Sequence, residues 1–488
     1  MFRIADPFTA SALMILVSVL MGTLVLVTVA IFRRWQQIYY TRYLQTLQTQ
    51  YRPILEQLLS GTRPVEGIAA LRRLSLSDLE LLLEPLLAKQ KVTDHHFGFL
   101  LAICTELGLV ELWQHRLTAG DGLKGGPGLL RRVSMLAPSV TMHHLLQRAK
   151  SIRNLGILRH QPSWPLLVKA LDDPHPDIQT VALRALAAIR APGSFRVLLE
   201  RLQSVVLGLT LKPPLRPLES ALASFDLTFS PDLLPALRHS HPRIRSLAME
   251  LLRLFVRREA AHDPEFLLTR EILSPEIAYL LLTDLYQDAV GEVRARAAEV
   301  IAYLDDPRAG TVLYGLCSDS LWHVRHHTVR ALARQRHSTP LLLSGVRDCL
   351  HDPYWRVREA AIQTLIALGP SGKQQLYESF LTCDHQATRQ QIVEIIERKG
   401  LMVSLIDAYG RGASGVEARV VEQFASGAAP LGILEGLRKA APPICLKFTE
   451  RFHLDSRFKM QPVKGAPLEV DALSELQKNL NVPPALAA

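Results

Sequence analysis

The most apolar part of the chain is a run of twenty-five residues, Phe8 to Phe32, which contains no charged side chain and is closed by Arg33 and Arg34. A helix that rises 1.5 Å per residue needs about 20 such residues to cross a hydrocarbon core of about 30 Å. The pattern therefore predicts one N-terminal helix that is long enough to span a membrane.

Two interpretations of this run compete, an uncleaved anchor and a cleaved signal peptide. A signal peptide has a basic start, an apolar stretch of about 7–15 residues and a cleavage site made of small residues. Here the apolar stretch is longer, Asp6 offsets Arg3 before it, and the two residues that follow it are basic. These features favour a transmembrane anchor at residues 8–32.

The basic residues on either side of the run predict its orientation. Only Arg3 precedes it, whereas Arg33, Arg34, Arg42 and Arg52 follow it. Basic residues near a span are retained on the cytoplasmic side of the membrane. We therefore expect a single-pass protein of the inner (cell) membrane whose C-terminal bulk is cytoplasmic.

The segment 33–52 is expected to lie near an anionic lipid surface. Each basic residue close to such a surface contributes about 1 kcal/mol of attraction. Aromatic rings are also enriched at the headgroup layer, although ordinary helix packing accounts for them almost as well. The aromatic residues in question are Trp35, Tyr39, Tyr40 and Tyr43.

Beyond the run, a short string recurs with a period near thirty-three residues. The string Asp-x-x-Trp-x-Val-Arg occurs at Asp319–Arg325 and again at Asp352–Arg358, and most of it returns at Asp288–Arg294. Self-similarity at such a period is typical of repeat architectures. Weaker copies stand at Asp173–Gln179, His239–Arg245 and Cys383–Arg389.

Each copy of the string is followed by apolar positions at helical spacing. Residues four and eight positions after the Val, Ile or Thr of the string lie on one face of an α-helix, and a small residue at the first of them allows a neighbouring helix to approach closely. The residues four positions on are Ala182, Ala248, Ala297, Thr328, Ala361 and Ile392. A second apolar helix is predicted after several copies, at Ser194–Leu202, Ala309–Cys317, Pro340–Leu350 and Lys373–Leu381.

A helical pair of this kind cannot bury both of its apolar faces alone, so stacking against the next pair must bury them. The predicted fold class is therefore all-α: an α-solenoid of helical hairpins preceded by one N-terminal transmembrane helix. The low aromatic content, 6% against 48% hydrophobic residues overall, agrees with cores built from Leu, Ala, Ile and Val.

The strings at 352–361 (Asp-Pro-Tyr-Trp-Arg-Val-Arg-Glu-Ala-Ala) and 292–298 (Glu-Val-Arg-Ala-Arg-Ala-Ala) resemble those of HEAT-repeat proteins, in particular the bacterial, phycobilisome-lyase-like branch. The resemblance covers about residues 145–400. It implies a ladder of ion pairs and hydrogen bonds that links successive repeats, formed by Asp288 with Arg294, Asp319 with Arg325, and Asp352 with Arg358. In the weaker copies Gln179 replaces the Arg, and His239 and Cys383 replace the Asp.

The pattern divides the chain into six predicted segments. The anchor is followed by a juxtamembrane helical region, a Gly-rich hinge, the repeat solenoid, further helices and a flexible Pro/Ala-rich tail. A loop is predicted at Lys212–Pro217 because three of its six residues are proline. The segments after the anchor are 33–119, 120–128, 129–400, 401–459 and 460–488.

Charge and cysteine content restrict the partners and the chemistry. The formal net charge of +10 suits anionic lipid or an acidic partner, whereas a nucleic-acid partner is disfavoured because no continuous Lys/Arg run is present. The five cysteines are widely spaced and form no CxxC pair, which argues against a disulfide framework or a zinc site. They are Cys104, Cys317, Cys349, Cys383 and Cys445.

No catalytic or cofactor motif accompanies the repeats. The sequence has no GxxxxGK[ST] phosphate loop, no GxSxG elbow and no HExxH metal site. HEAT-like iron hydroxylases carry His-Glu dipeptides as metal ligands, and this sequence contains none, so we expect no metal and no cofactor. The histidines at 95–96, 143–144, 323 and 326–327 are interpreted as solvated or packing residues.

Two tryptophans remain as candidates for a partner-binding site. Trp322 and Trp355 occupy the same position in adjacent repeats, with Arg325 and Arg356 close by. Stacked Trp and Arg residues are typical of interface hot spots, but a large ring just before a helix also seals the turn between repeats. The sealing interpretation is favoured, and partner binding stays open as the alternative.

The predicted function is a membrane-tethered scaffold that mediates protein–protein interaction at the cytoplasmic face, and not an enzyme. Its partner is expected to be a protein, with other membrane proteins among the candidates. The alternative, which rests on the resemblance alone, is a lyase- or chaperone-like protein acting on a chromophore-bearing or modified protein.

Overall fold

The computed structural model describes residues 7–59, 64–88, 94–119, 138–262, 273–334, 340–410 and 415–426. Within these ranges the chain forms helices, turns and short 3-10 segments, and no strand. The predicted all-α fold is therefore confirmed. The chain divides into two compact units, Met1–Phe225 and Asp226–Ala488.

The first unit contains ten α-helices among its described residues, and most of them begin at a proline or a leucine. Proline is well suited to the first turn of a helix because its missing N–H would have no partner there. The helices are α1 (Pro7–Leu59), α2 (Pro64–Leu71), α3 (Leu76–Ala88), α4 (Asp94–Glu106), α5 (Leu109–Ala119), α6 (Pro138–Ile157), α7 (Trp164–Lys169), α8 (Pro176–Ile189), α9 (Pro192–Val206) and α10 (Leu215–Ala223).

The second unit contains twelve α-helices among its described residues, and in most of it short and longer helices alternate. They are α11 (Leu234–Leu237), α12 (Pro242–His262), α13 (Pro275–Thr283), α14 (Gly291–Ile301), α15 (Pro307–Leu316), α16 (Trp322–Leu332), α17 (Pro340–Asp348), α18 (Trp355–Ala367), α19 (Pro370–Thr382), α20 (Gln386–Arg398), α21 (Leu401–Gly410) and α22 (Val416–Ser426).

Helix α1 contains the predicted apolar helix but is much longer than residues 8–32. It runs without a break for 53 residues, which is about 80 Å at 1.5 Å per residue. Side chains from Met14 to Tyr43 are exposed, whereas Leu47, Leu55 and Leu58 are buried where α1 packs on α2 and α3. The helix therefore continues past the apolar run because its second half is the first packed helix of the first unit.

By length and composition α1 is able to cross a membrane, with a mean hydropathy of 2.7 over its most apolar window and none of that window buried. A signal sequence passes the same test. The structure thus confirms the apolar N-terminal helix and leaves its membrane insertion to be tested.

The second unit consists of two layers of helices. The helices that begin with the repeated string (α12, α14, α16, α18 and α20) pack side by side in one layer, and the second helices (α13, α15, α17 and α19) pack in the other. The small residues four positions after the Val, Ile or Thr of each string lie in the contact between these helices, as expected. Ala248, Ala297, Thr328 and Ala361 are at most 1% exposed. Stacking therefore buries the apolar helix faces that a single hairpin leaves exposed.

The predicted loop at Lys212–Pro217 is only partly correct. Residues 211–214 are irregular, but α10 already begins at Leu215, so Pro217 lies in its first turn. Proline is tolerated there for the reason given above. Several predicted features lie outside the described residues: the hinge at 120–128, the part of 401–459 from residue 427 onwards, the tail at 460–488 and Cys445. His95, His96 and His143 lie in α4 and α6, but their side chains are outside the description.

Candidate functional site

Three arginines of the repeated string connect neighbouring helices of the first layer. Arg245 binds Asp288 at 2.6 Å, Arg294 binds Asp319 at 2.7 Å, and Arg325 binds Asp352 at 2.6 Å, each through two nitrogens and two carboxylate oxygens. Each arginine thus pairs with the aspartate of the following copy. We call this row of pairs the Asp–Arg ladder.

Each arginine also binds the first residue of its own copy, but through the backbone; for Arg245 this residue is His239, at 2.9 Å. Arg294 donates to the carbonyl oxygen of Asp288 at 2.7 Å, and Arg325 donates to that of Asp319 at 2.7 Å. The Asp319 carboxylate in turn accepts the backbone N–H of Leu321 at 2.9 Å. Burial raises the pKa of the Asp319 carboxyl, but the hydrogen bond and charge of Arg294 outweigh it, so that this pKa lies below its usual range.

The ladder continues in altered form where the string is weaker. Arg148 pairs with Asp173 at 2.7 Å, and Gln179 donates to the carbonyl oxygen of Asp173 at 2.6 Å. Farther along, Arg358 donates to the carbonyl of its own Asp352 at 2.8 Å and to the side chain of Gln391 at 3.2 Å. A neutral amide therefore takes the carboxylate's place opposite Arg358.

At the starts of α16 and α18, aromatic and arginine side chains form a cluster. The ring of Trp322 stacks on that of Tyr354, with centroids 5.7 Å apart and planes 20° apart. The guanidinium carbon of Arg356 lies 5.6 Å from the Trp322 ring centroid and 5.4 Å from that of Trp355. We call these four residues the aromatic–arginine platform.

The two tryptophans of the platform are in different environments. Trp322 is half-buried under Tyr354 of the next copy, which is the geometry of a sealed turn. Trp355 is 55% exposed and Tyr354 is 50% exposed. Arg325, also a predicted site residue, belongs mainly to the ladder, although its guanidinium carbon lies 5.9 Å from the Tyr354 ring centroid.

Tyr354 was not among the residues singled out from the sequence. It stands where Leu321 stands one repeat earlier, and Leu321 is 40% exposed. Alignment of the two repeats could have identified Tyr354, because an aromatic residue directly before a repeated Trp adds a second ring at the same edge.

The histidines near the platform are engaged in protein contacts. His327 pairs through Nδ1 with Glu299 at 2.7 Å, and His326 contacts the carbonyl oxygen of Arg356 at 3.1 Å. Glu299 also accepts from Arg253 at 3.1 Å. Burial raises the pKa of the Glu299 carboxyl, but the hydrogen bonds and charges of His327 and Arg253 outweigh the effect of burial and lower this pKa to about 2. Among the described residues no group of three or more His, Cys, Asp or Glu side chains is arranged to hold a metal ion.

The described cysteines are buried and widely distributed. Cys349 lies with its sulfur 3.7 Å from the carbonyl oxygen of Cys317, and both are buried in the second layer. Burial raises the pKa of the Cys104 thiol to about 12. Because the thiolate is the reactive form, this thiol is expected to be inert.

Comparison with known proteins agrees with this architecture. Residues 280–366, which include α14 to α17, the end of α13 and most of α18, match the family described as HEAT repeats. The chain therefore carries HEAT repeats, and its described fold is an α-solenoid. No curated protein matches the chain.

Two solved structures are similar to the chain at low identity. One is an engineered protein from a structural genomics consortium, 19% identical, covering 63% of this chain and 94% of its own, with a TM-score of 0.33. The other is a mutant of Kap121p, 13% identical, covering 84% of this chain, with a TM-score of 0.41. The chain spans about half the length (52%) of that Kap121p chain.

Proposed function

We propose that this protein is a membrane-tethered scaffold whose aromatic–arginine platform binds a protein partner at the cytoplasmic face. HEAT repeats generally serve as interaction scaffolds, and their stacked helices present side chains on a rigid surface. The observation that carries the proposal is the exposure of Tyr354 and Trp355 beside Arg356 on this surface. Trp, Tyr and Arg are the residue types that dominate binding hot spots.

The length of α1 supports the tethering part of the proposal. Leu47, the first buried residue among the described side chains, lies fifteen positions after Phe32, the end of the apolar run. At 1.5 Å per residue this is a helical spacer of about 22 Å. Its exposed Arg33, Arg34 and Arg42 suit contact with anionic lipid.

Deleting residues 8–32 should move the protein from the membrane pellet to the soluble fraction, because the apolar run provides the anchoring energy. The measurement is fractionation of cells, with extraction at high pH to remove peripherally bound protein. Release of the wild-type protein from the membrane at high pH would contradict an uncleaved anchor. Loss of its first residues, detected by N-terminal sequencing, would contradict it as well. A reporter fused after Ala488 and active only outside the cytoplasm would contradict the orientation.

Replacing Trp355 with alanine should weaken capture of the partner at least tenfold, because a hot-spot truncation costs about 2 kcal/mol or more. The measurement is quantitative cross-linking and pulldown from membranes, comparing the wild-type and variant proteins. Tyr279→Ala is the matched control, since Tyr279 is 57% exposed but lies in the second layer on α13. Equal capture by the wild type and the Trp355 variant would show that the platform is not the interface.

A further inference from the structure

We infer that the platform recognises an acidic segment of its partner, in which a carboxylate binds Arg356 and a neighbouring apolar or aromatic side chain packs on Trp355. This inference rests on the proposed function and adds the chemistry of the ligand. It follows from the charges and contacts around a single guanidinium.

Arg356 differs in its bonding from Arg294, Arg325 and Arg358 of the repeated strings. Arg294 and Arg325 each hold a carboxylate of the next copy, and Arg358 is buried against backbone carbonyls. Within the described part of the chain, no carboxylate lies within ion-pair distance of the Arg356 guanidinium. The Arg356 guanidinium instead contacts the faces of the Trp322 and Trp355 rings. A ring face attracts a cation, but it does not accept hydrogen bonds from the N–H groups in the plane of the guanidinium.

Two acidic side chains close to the platform in sequence already have cationic partners. Asp352 is held by Arg325, and Glu359 is held by Arg398 at 2.8 Å. His326, which contacts the backbone of Arg356, adds no negative charge. Asp352 and Glu359 are therefore engaged elsewhere and do not pair with Arg356, whose side chain is exposed.

A carboxylate beside an apolar side chain fits this arrangement. A guanidinium presents a fork of N–H donors that matches the two oxygens of a carboxylate, and such charge-assisted bonds are about twice as strong as neutral ones. The flanking rings offer apolar surface, which a peptide side chain can cover. Nucleic acid, in contrast, is bound through many phosphate contacts, and this platform contains one cation that is not already paired.

The ring contacts also prepare Arg356 for binding. Arginine loses considerable side-chain freedom when it is fixed, and contact with two indole rings restricts it before the partner arrives. Preorganisation of this kind lowers the entropic cost of association. The platform is therefore suited to bind a short linear segment even without a deep pocket.

The test uses the full-length protein in detergent micelles and a displayed library of random twelve-residue peptides as the probe. Selection against the wild-type protein, with counter-selection on the Arg356→Gln variant, should enrich Asp or Glu next to an aromatic or aliphatic residue. Synthetic copies of the enriched peptides should bind the Arg356→Gln variant about tenfold more weakly or worse, as expected for loss of a hydrogen-bonded charge. Arg308→Gln is the control, since Arg308 is an exposed arginine paired with Asp306 elsewhere in the same unit.

The outcomes separate this inference from the proposed function. Enrichment of basic or neutral peptides that still require Trp355 would overturn the acidic ligand and leave the scaffold intact. An absence of any enriched peptide, or binding that survives both Arg356→Gln and Trp355→Ala, would overturn the platform as a peptide site. Preference for vesicles of anionic lipid over every enriched peptide would likewise overturn it.

Discussion

Replacing Arg325 with alanine should lower the free energy of unfolding of the second unit by about 3–5 kcal/mol, the cost of breaking a buried ion pair on one side. The side chains of Arg325 and Asp352 are only 11% and 5% exposed, so the variant leaves a carboxylate without its partner in a poorly solvated place. It also removes the hydrogen bond from Arg325 to the carbonyl oxygen of Asp319. Urea denaturation of the full chain, followed by circular dichroism, measures the change.

Two further variants show whether burial is the cause of this effect. Arg308→Ala breaks a pair with Asp306 of similar length, 2.8 Å, but the Arg308 side chain is 58% exposed, so the loss should be much smaller. Adding Asp352→Asn to Arg325→Ala removes the stranded charge and should restore part of the stability. A similar loss for Arg325→Ala and Arg308→Ala would show that the ladder contributes no more than surface pairs do.

The repeat period predicted the helices well because burial depends on local spacing. Val324 and Val357 are both fully buried, and so are the residues that follow them on the same helix face. The spacing of apolar positions along one helix determines which face turns inwards. No knowledge of the neighbouring helices is needed for that step, only the requirement that something must cover the face.

The partner of each ladder arginine could not be predicted in the same way. The resemblance implied a ladder that links successive repeats, but the spacing of six residues within one string does not say which aspartate each arginine holds. In the structure Arg325 reaches its own Asp319 only at the backbone, and its charge pairs with Asp352 of the next copy. This choice depends on how closely two copies stack, which is a property of the assembled layer.

The unequal exposure of Trp322 and Trp355 shows the same limit at the candidate site. The two residues occupy identical positions in the string. What differs is the residue directly before that position in the next copy. Tyr354 stacks on Trp322, whereas the corresponding position after Trp355 holds His385, whose ring nitrogen contacts Thr388 instead. A repeat therefore predicts where a side chain stands, while the neighbouring copy decides whether it is covered.

Replacing Gly156 with alanine should destabilise the first unit by about 1–3 kcal/mol, although alanine is the better helix former. Gly156 lies in α6, and a Cβ atom added there would come within 2.7 Å of Ala185 Cα in α8. That atom belongs to the backbone and cannot rotate away, so the two helices must separate and their close packing is lost. Thermal denaturation of the full chain measures the effect.

Gly98→Ala is the matched control for this prediction, because Gly98 lies in α4 of the same unit and an added Cβ meets nothing within 4 Å. There the intrinsic preference of alanine for the helix should dominate and stabilise the unit by about 0.5–1 kcal/mol. The two identical substitutions should thus have opposite signs, because the first acts on the contact between α6 and α8 and the second on the helix alone. Stabilisation by both substitutions would mean that α6 and α8 do not pack as closely as the 2.7 Å distance to Ala185 Cα indicates.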